Sequence, residues 1–385
     1  MQQDCLFNSN QSNKDTRQKT PSESANMWWC HLIRDRRWST AQKRQLIGYF
    51  KCPELVLAAP DAQIRTIISG RQRNSTSKVQ KFMLDADLHW LTQDSHYLVP
   101  ITDQRYPAIL RQLLDAPLAL FGIGDIALLN EPQVAIVGSR KPTPIGDKIT
   151  RSISRDLASL GVVVTSGMAL GIDGIAHQAA LGAGGSSIAV LGNGLDTIYP
   201  SRHKVLFEQL SVHGLLVFEY PLGVKPARHT FPQRNRIVSG LSHGVVIVEA
   251  AERSGTLITA RLAMEQNRDV MVVPGSALSS QYRGSHQLIK QGAALVSSSD
   301  DVLYCLSEPL SRFLQSADGG SPIKSLEGLA AENPLLQYIS AESTSVNDII
   351  LGSQLTSAEV SSMLLELELI GAVAMANDGG YVNLS

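Results

Sequence analysis

A Gly-Ser-Arg-Lys sequence follows directly after the apolar run 134–137 and precedes a helical pattern. Gly138 allows a ligand to approach the backbone, the Ser139 hydroxyl can donate a hydrogen bond, and Arg140 and Lys141 supply positive charge. Backbone N–H groups at such a turn, and the N-terminus of the next helix, point toward an anion. The segment therefore predicts a phosphate cradle; the alternative is a tight turn with a solvated arginine. Neither a dinucleotide-binding G-x-G-x-x-G nor a Walker A sequence follows.

A basic loop at residues 225–236, KPARHTFPQRNR, places one aromatic ring among its charges. Between Val224 and Val238 there are four Lys or Arg residues, one His and no acid. Single-stranded nucleic acid needs this combination, because its phosphates pair with cations while a base stacks on the ring. Two prolines stiffen the loop, which favours a binding role over a merely charged, solvated loop.

A glycine-rich segment at residues 166–177 also follows an apolar run and opens a helix. Its glycines indicate a backbone that another group approaches closely. Asp173 and His177 stand four residues apart and share a helix face. A catalytic pair is one interpretation, but a capping aspartate and a hydrogen-bonded histidine are favoured.

A further strand-end loop, Ser254-Gly255-Thr256, predicts either a second phosphate nest or the N-cap of the next helix. Glu249 lies nearby and keeps a rival enzyme hypothesis open, a nucleotide hydrolase of the phosphoribohydrolase type. Those enzymes carry a P-G-G-x-G-T loop, whose first glycines are missing here. A third class, a pure interaction scaffold, is disfavoured by the basic, aromatic-bearing loop.

These loops require a scaffold that brings strand ends to one edge. Between about residues 97 and 306, apolar runs alternate with helical patterns, which predicts an α/β fold with a Rossmann-like, doubly wound, mostly parallel sheet. The predicted strands are 134–137, 162–165, 187–191, 215–218, 245–248, 270–273 and 294–296. The predicted helices between them are 148–160, 173–181, 202–210, 233–241, 257–267 and 286–291.

Two smaller domains are predicted at the flanks. Residues 1–26 are rich in Gln, Asn and Ser and predict a disordered tail. Residues 27–96 predict a small helical, SAM-like domain with a core of Trp28, Trp29, Trp38 and Trp90. The Rossmann-like domain covers 97–310 and a linker 311–325. Residues 326–385 predict three helices and a hairpin pairing 373–375 with 381–384, the order of a winged-helix domain.

Charge is distributed unevenly, although the formal net charge is only -1. From Arg34 to Lys81, eleven Lys or Arg face three acids, whereas six acids and no Lys or Arg lie between Leu335 and the C-terminus. Winged helices that bind duplex DNA need positive charge, so we expect this acidic one to bind protein, or to pack against the basic N-terminal domain of its own or another chain. The alternative is that its acids merely keep a small helical cap soluble. Four cysteines without a C-x-x-C pair argue against a zinc site and suit a reducing cytosol. Neither a signal peptide nor a membrane span is expected.

The motifs VAIVGSR, SGMALGIDGIAH, LGNGLDTIYP, EYPLG, FPQRNRIVSGLS, VVIVEA, SGTLITA and VPG resemble, in this order, the DNA-processing protein A family (DprA, also called Smf). The resemblance covers about 97–306 closely, with one departure at His203, where the family often has Asn. It implies a cytoplasmic homodimer that binds and protects incoming single-stranded DNA and helps load the RecA recombinase in natural transformation. We expect no enzymatic activity, because no nucleophile sits beside a base in a recognisable motif, and we expect no cofactor, metal or membrane partner.

The family's DNA pocket surrounds its G-S-R loop and its F-P-x-R-N-R segment. The DNA-binding residues that we expect are Gly138, Ser139, Arg140, Lys141, Ser166, Gly167, Arg228, Phe231, Arg234, Asn235 and Arg236.

Overall fold

The computed structural model describes residues 23–68, 79–194, 196–227, 230–306, 335–340, 343–353, 355–369, 373–376 and 380–383. The chain forms two compact units, Met1–Leu310 and Ser311–Ser385. Among the residues described, no helix is both long and apolar enough to cross a membrane.

Five helices open the first unit, and they pack on the sheet that follows. They are α1 (Glu23–Arg34), α2 (Thr40–Phe50), α3 (Pro53–Ala58), α4 (Asp61–Ile67) and α5 (Lys81–Leu91). Helix α1 begins inside the segment expected to be a tail. Trp29, Trp38 and Trp90 are buried, as expected, and Trp28 is half-buried. The Trp90 ring lies 6.0 Å from Phe121 and 5.7 Å from Phe218, both on the sheet, so helices and sheet share one core.

In the described part of the first unit, nine strands form one sheet in the order β1-β2-β6-β5-β4-β3-β7-β8-β9. Strands β3 to β9 run parallel, and β1 and β2 join them antiparallel beside β6. This confirms the predicted fold class. The strands are β1 (His96–Pro100), β2 (Ala119–Gly124), β3 (Gln133–Gly138), β4 (Val163–Ser166), β5 (Ser187–Leu191), β6 (Leu215–Phe218), β7 (Gly244–Val248), β8 (Asp269–Val272) and β9 (Ala294–Leu295).

Helices cover both faces of the parallel strands. On β3, Val134 and Ile136 face one hydrophobic cluster, to which the helices at 144–159, 172–182 and 299–305 contribute side chains. Ala135 and Val137 face another cluster, to which the helices at 230–241, 256–265 and 283–290 contribute. The alternation is the period of two that a strand imposes, which makes β3 apolar on both sides. The helices are α6 (Ala108–Arg111), α7 (Pro144–Ser159), α8 (Ile172–Gly182), α9 (Lys204–His213), α10 (Thr230–Leu241), α11 (Thr256–Glu265), α12 (Arg283–Lys290) and α13 (Ser299–Cys305).

The described part of the second unit has the predicted winged-helix order, except that a short 3-10 turn, Leu336–Tyr338, takes the place of the helix predicted near 334–339. Helices α14 (Val346–Ser353) and α15 (Ser357–Leu369) precede an antiparallel hairpin of β10 (Val373–Met375) and β11 (Tyr381–Asn383). The predicted linker at 311–325 and the hairpin turn at 377–379 lie outside the described residues.

Candidate nucleic-acid interface

An open cleft of about 440 Å³ lies beyond the carboxyl ends of β3, β4 and β5. It joins three segments that are far apart in sequence, since Arg140, Gly167 and Phe231 all line it. The remaining lining residues are Met168, Ala169, Leu170, Leu191, Gly192, Asn193, Tyr199, Pro200 and Arg234.

The β3 loop presents two cations to solvent. Arg140 and Lys141 are exposed, and Arg140 forms no hydrogen bond or ion pair with any other residue that the structure describes. Ser139 is used inside the loop: its hydroxyl accepts the Lys141 N–H at 3.1 Å and its own N–H donates to Val248 at 3.3 Å. A Cβ on Gly138 would collide with the Val248 carbonyl oxygen, so glycine is needed there for packing.

The β4 loop holds the β3 loop in place. The Ile172 N–H donates to the Ser139 carbonyl oxygen at 3.1 Å. Gly171 has a φ of 83°, and a Cβ there would collide with the same oxygen. Ser166 is buried and its hydroxyl donates to the Ile136 carbonyl at 2.6 Å. Ser166 therefore supports the cleft from inside the sheet and is not at its surface.

Arg234, on α10, is buried beneath the cleft, with 5% of its surface exposed. Its Nη1 donates to the carbonyl oxygens of Gly167 and Val190, at the ends of β4 and β5. Burial lowers its pKa to about 10, and the negative charge of Asp173 opposes that shift. A Cβ on Gly167 would overlap the guanidinium, so this glycine makes room for Arg234.

Two neighbouring predicted residues also lie on α10. Arg236 forms an ion pair with Glu219 at 2.5 Å and a weaker one with Asp115 at 3.4 Å. Asn235 is half-buried. The remaining predicted residue, Arg228, lies outside the described residues.

Two aromatic rings form one side of the cleft. The half-buried Phe231 ring lies 5.3 Å from that of Tyr199, at an interplanar angle of 41°. Gly192 allows this position, since a Cβ there would lie 3.1 Å from Phe231. Tyr199 is 47% exposed and was not predicted as a site residue. The signal for it was its place in the LGNGLDTIYP motif, beside a proline and before a helix.

The Asp173–His177 pair is structural. The Asp173 carboxylate accepts the N–H groups of Gly167 at 3.2 Å and Ala169 at 3.3 Å, so it fastens the loop preceding its helix. Burial raises the pKa of Asp173, opposed by Arg234. His177 Nδ1 lies 2.7 Å from the Ser187 hydroxyl, which donates its proton to Val164. Nδ1 therefore carries the hydrogen, and burial lowers the pKa of His177 to about 3.

Glu249 occupies the point where the sheet reverses its strand order, between β3 and β7. Its buried carboxylate accepts the Thr143 N–H at 3.0 Å, the Tyr282 hydroxyl at 2.8 Å and the Thr143 hydroxyl. The N-terminus of α7, which the sequence predicted to face a phosphate, therefore faces this carboxylate. Thr143 also caps the helix, since its Oγ1 accepts the Gly146 N–H at 3.1 Å.

The Ser254-Gly255-Thr256 loop forms a local turn that is also bonded to the end of β3. The Ser254 hydroxyl accepts the Thr256 N–H at 3.1 Å, and the Thr256 hydroxyl donates to the Gly138 carbonyl at 3.1 Å. The N-cap of the helix is Gly255, which makes no side-chain cap bond, so neither Ser254 nor Thr256 is the cap that the sequence predicted. Among the described residues, no group of three or more His, Cys, Asp or Glu could hold a metal ion.

Comparison with known proteins gives concordant results. Residues 97–307 match the model of the DNA recombination-mediator protein A family, and residues 324–379 match that of the DprA winged helix domain. The chain is 41% identical over 334 residues to Protein Smf of Escherichia coli K12, covering 85% of this chain and 89% of that protein. It is 46% identical over 203 residues to the DNA processing protein DprA of Streptococcus pneumoniae, covering 53% and 72%. The crystal structure of DprA from Streptococcus pneumoniae superposes with a TM-score of 0.63 at 36% identity, covering 72% of this chain and 97% of that one.

Proposed function

Because the chain belongs to the DNA recombination-mediator protein A (DprA, or Smf) family, we propose that it binds single-stranded DNA across the cleft beyond β3, β4 and β5. The observation that carries the proposal is that the exposed cation Arg140 and the Phe231–Tyr199 rings line one cavity, with the exposed Lys141 next to Arg140 in the chain. Phosphates bind the cations and a base stacks on a ring, a mode that tolerates any sequence. Duplex DNA hides its base faces and fits this arrangement less well.

The predicted site residues then divide into two roles. Arg140, Lys141, Phe231, Arg228 and Asn235 are proposed to contact DNA. Gly138, Ser139, Ser166, Gly167, Arg234 and Arg236 are proposed as positioning residues, because their polar groups are engaged within the protein or their backbone leaves no space for a side chain.

The wider role rests on the family resemblance. We propose that a homodimer in the cytoplasm protects incoming DNA and helps load the RecA recombinase onto it. We also propose that the protein acts without catalysis. Glu249, the residue that kept a hydrolase open, has its carboxylate bound by Thr143 and Tyr282 and is fully buried. A purified sample that releases base or phosphate from nucleotides would favour the hydrolase.

Binding to labelled single and double strands across a salt series tests the proposal. We expect tighter binding to the single strand, with an affinity that falls as salt rises, because cations on the protein displace counterions from the phosphates. Equal affinity for both strand types, or binding that does not respond to salt, would contradict it.

A further inference from the structure

A second cavity, larger than the cleft, lies between the N-terminal helices and the segment at 221–224. We call it the helical groove; its volume is about 1,390 Å³, and it is open to solvent. Its walls include Arg34, Arg36, Trp38, Lys43, Gln80 and Val224. The cleft beyond β3, β4 and β5 does not use any of these residues.

The helical groove carries positive charge. Arg34, Arg36 and Lys43 line it, against one acid, Asp35. Arg34 is paired with the buried Asp87 at 2.5 Å, and the Lys43 ammonium donates to the Ile33 carbonyl oxygen at 2.8 Å. The Asp35 carboxylate is neutralised by Arg37, whose guanidinium binds it at 2.8 Å. Arg36 is exposed and forms no bond with the other residues that the structure describes. The groove therefore favours an anionic occupant and keeps one cation available for it.

Trp38 adds an unused hydrogen-bond donor. Its side chain lines the groove and is 3% exposed, yet its indole N–H has no acceptor in the described part of the chain. Most buried donors in folded proteins have a partner, so an unsatisfied one calls for an explanation. Because the indole nitrogen itself has almost no exposed surface, an occupant of the groove reaches it only if the Trp38 ring moves.

The helical groove and the cleft share a wall. Asn193 lines the cleft, and the next residue, Gly194, donates its N–H to Val224, which lines the groove, at 2.8 Å. The wall is held on both sides: Gly223 donates to Asp196 at 2.9 Å and Leu222 to Asp87 at 3.3 Å. Lys225 follows on this wall and is exposed. A strand leaving the cleft over this wall enters the groove.

We propose that the helical groove is a second subsite for single-stranded DNA, which takes the phosphodiester backbone of the strand that continues from the cleft. The inference rests on the proposed function of the cleft and extends it to the N-terminal helices. It predicts that groove residues affect long oligonucleotides and spare short ones.

Two groove variants and one control test the inference in the full-length protein. Arg36→Glu removes the available cation. Gln80→Glu adds a negative charge at a second lining residue, the N-cap of α5, where an acid is well tolerated by the helix dipole. Arg65→Glu makes the same charge change as the first variant at an exposed position of α4 outside the groove. Each is titrated with oligonucleotides of about 4 and about 16 nucleotides, the two ends of common single-strand site sizes.

For both groove variants we expect a loss of roughly tenfold in affinity for the long oligonucleotide and less than about twofold for the short one, with Arg65→Glu close to wild type. Unchanged affinity of both groove variants for the long oligonucleotide would overturn the inference while leaving the cleft intact. An equal loss of affinity for both oligonucleotides, or the same loss in Arg65→Glu, would also overturn the inference. Either result would mean that the affinity follows the overall charge of the protein and not the groove. Failure of the wild-type protein to bind either oligonucleotide would overturn the proposed function as well.

Discussion

The guanidinium of Arg234 donates a hydrogen bond to the carbonyl oxygen of Gly167, 67 residues away in sequence. A second bond, to Val190, joins the same side chain to the neighbouring strand. Arg234 thereby ties α10 to the ends of β4 and β5 beneath the cleft. The motif predicts a DNA contact for Arg234; in the structure its Nη1 is bonded to the protein, and the residue also lines the cleft.

Arg234→Met should weaken DNA binding without changing its response to salt. The substitution leaves two buried carbonyl groups without a donor, which should lower the free energy of unfolding by about 3 kcal/mol. Affinity falls because the cleft loses its shape, but no phosphate contact is lost, so the slope of log K against log salt stays at the wild-type value. Urea unfolding and a salt series measure the two effects. A slope that drops as far as in Arg140→Ala would mean that Arg234 contacts a phosphate.

Arg140→Ala should change the salt response directly. Its guanidinium is exposed and unbonded to other described residues, so stability should stay within about 0.5 kcal/mol of wild type. Loss of one phosphate contact should lower both affinity and the salt slope for single strands, the slope by about 0.7. Arg261→Ala, at an exposed position of α11, is the matched control. Wild-type binding by Arg140→Ala at every salt concentration would refute the role of the β3 loop.

Phe231→Ala should cost about 1–3 kcal/mol of binding free energy through lost base stacking. Phe231→Tyr keeps an aromatic ring beside Tyr199 and should bind within about threefold of wild type. Fluorescence anisotropy with a labelled oligonucleotide gives both values. If the alanine variant folds and binds normally, Phe231 serves only to pack against Gly192 and Tyr199.

The sequence was sufficient for the parallel core of the fold because its strands are buried on both faces. Continuous apolar runs such as 215–218 predict such strands directly, and the observed β6 has the same bounds. Strands β1 and β2 were missed. Their segments, HYLVP and ALFGIG, carry proline, glycine and polar residues, and only pairing beside β6 makes them strands.

For the site, composition identified the loops but not the roles within them. Arg140 and Arg234 look alike in sequence. Only the packing of α10 against β4 and β5 shows that Arg140 is exposed while Arg234 is buried beneath the cleft. The motif around Tyr199 was visible in the sequence, but its pairing with Phe231 was not, because the two residues are 32 positions apart and the contact depends on the fold.

His177 should make stability depend on pH. Its pKa is lowered to about 3 in the folded protein, below the ordinary value of 6.5. The stabilising contribution is therefore complete above about pH 6.5 and is lost as pH falls toward 3, because the unfolded chain takes up the proton first. Between pH 6.5 and 5 the loss should reach about 2 kcal/mol. Urea unfolding of the wild type and of His177→Asn at pH 6.5 and at pH 5 isolates this effect. An equal loss of unfolding free energy in the two proteins would refute it.

Deletion of residues 326–385 should leave single-strand affinity within about twofold of wild type. Between Leu335 and the C-terminus there are six acids and no Lys or Arg, so this unit repels phosphates. The described acids Asp348 and Glu359 are exposed, as expected for a surface that binds a basic partner. The measurement is anisotropy on the truncated protein, with circular dichroism as the control for folding. A folded truncation that loses most of its affinity would assign this unit to DNA.

The carboxylate of Glu249 occupies the position at the N-terminus of α7 that a mononucleotide phosphate would need. In related α/β sheets, the helix N-terminus at the strand reversal is the natural seat for the phosphate of a nucleotide. Here the Glu249 side chain occupies that position, and Thr143 and Tyr282 donate hydrogen bonds to its carboxylate. We therefore expect this helix N-terminus to bind mononucleotides and dinucleotide cofactors weakly. The proposed single-strand site in the cleft beyond β3, β4 and β5 does not need this position.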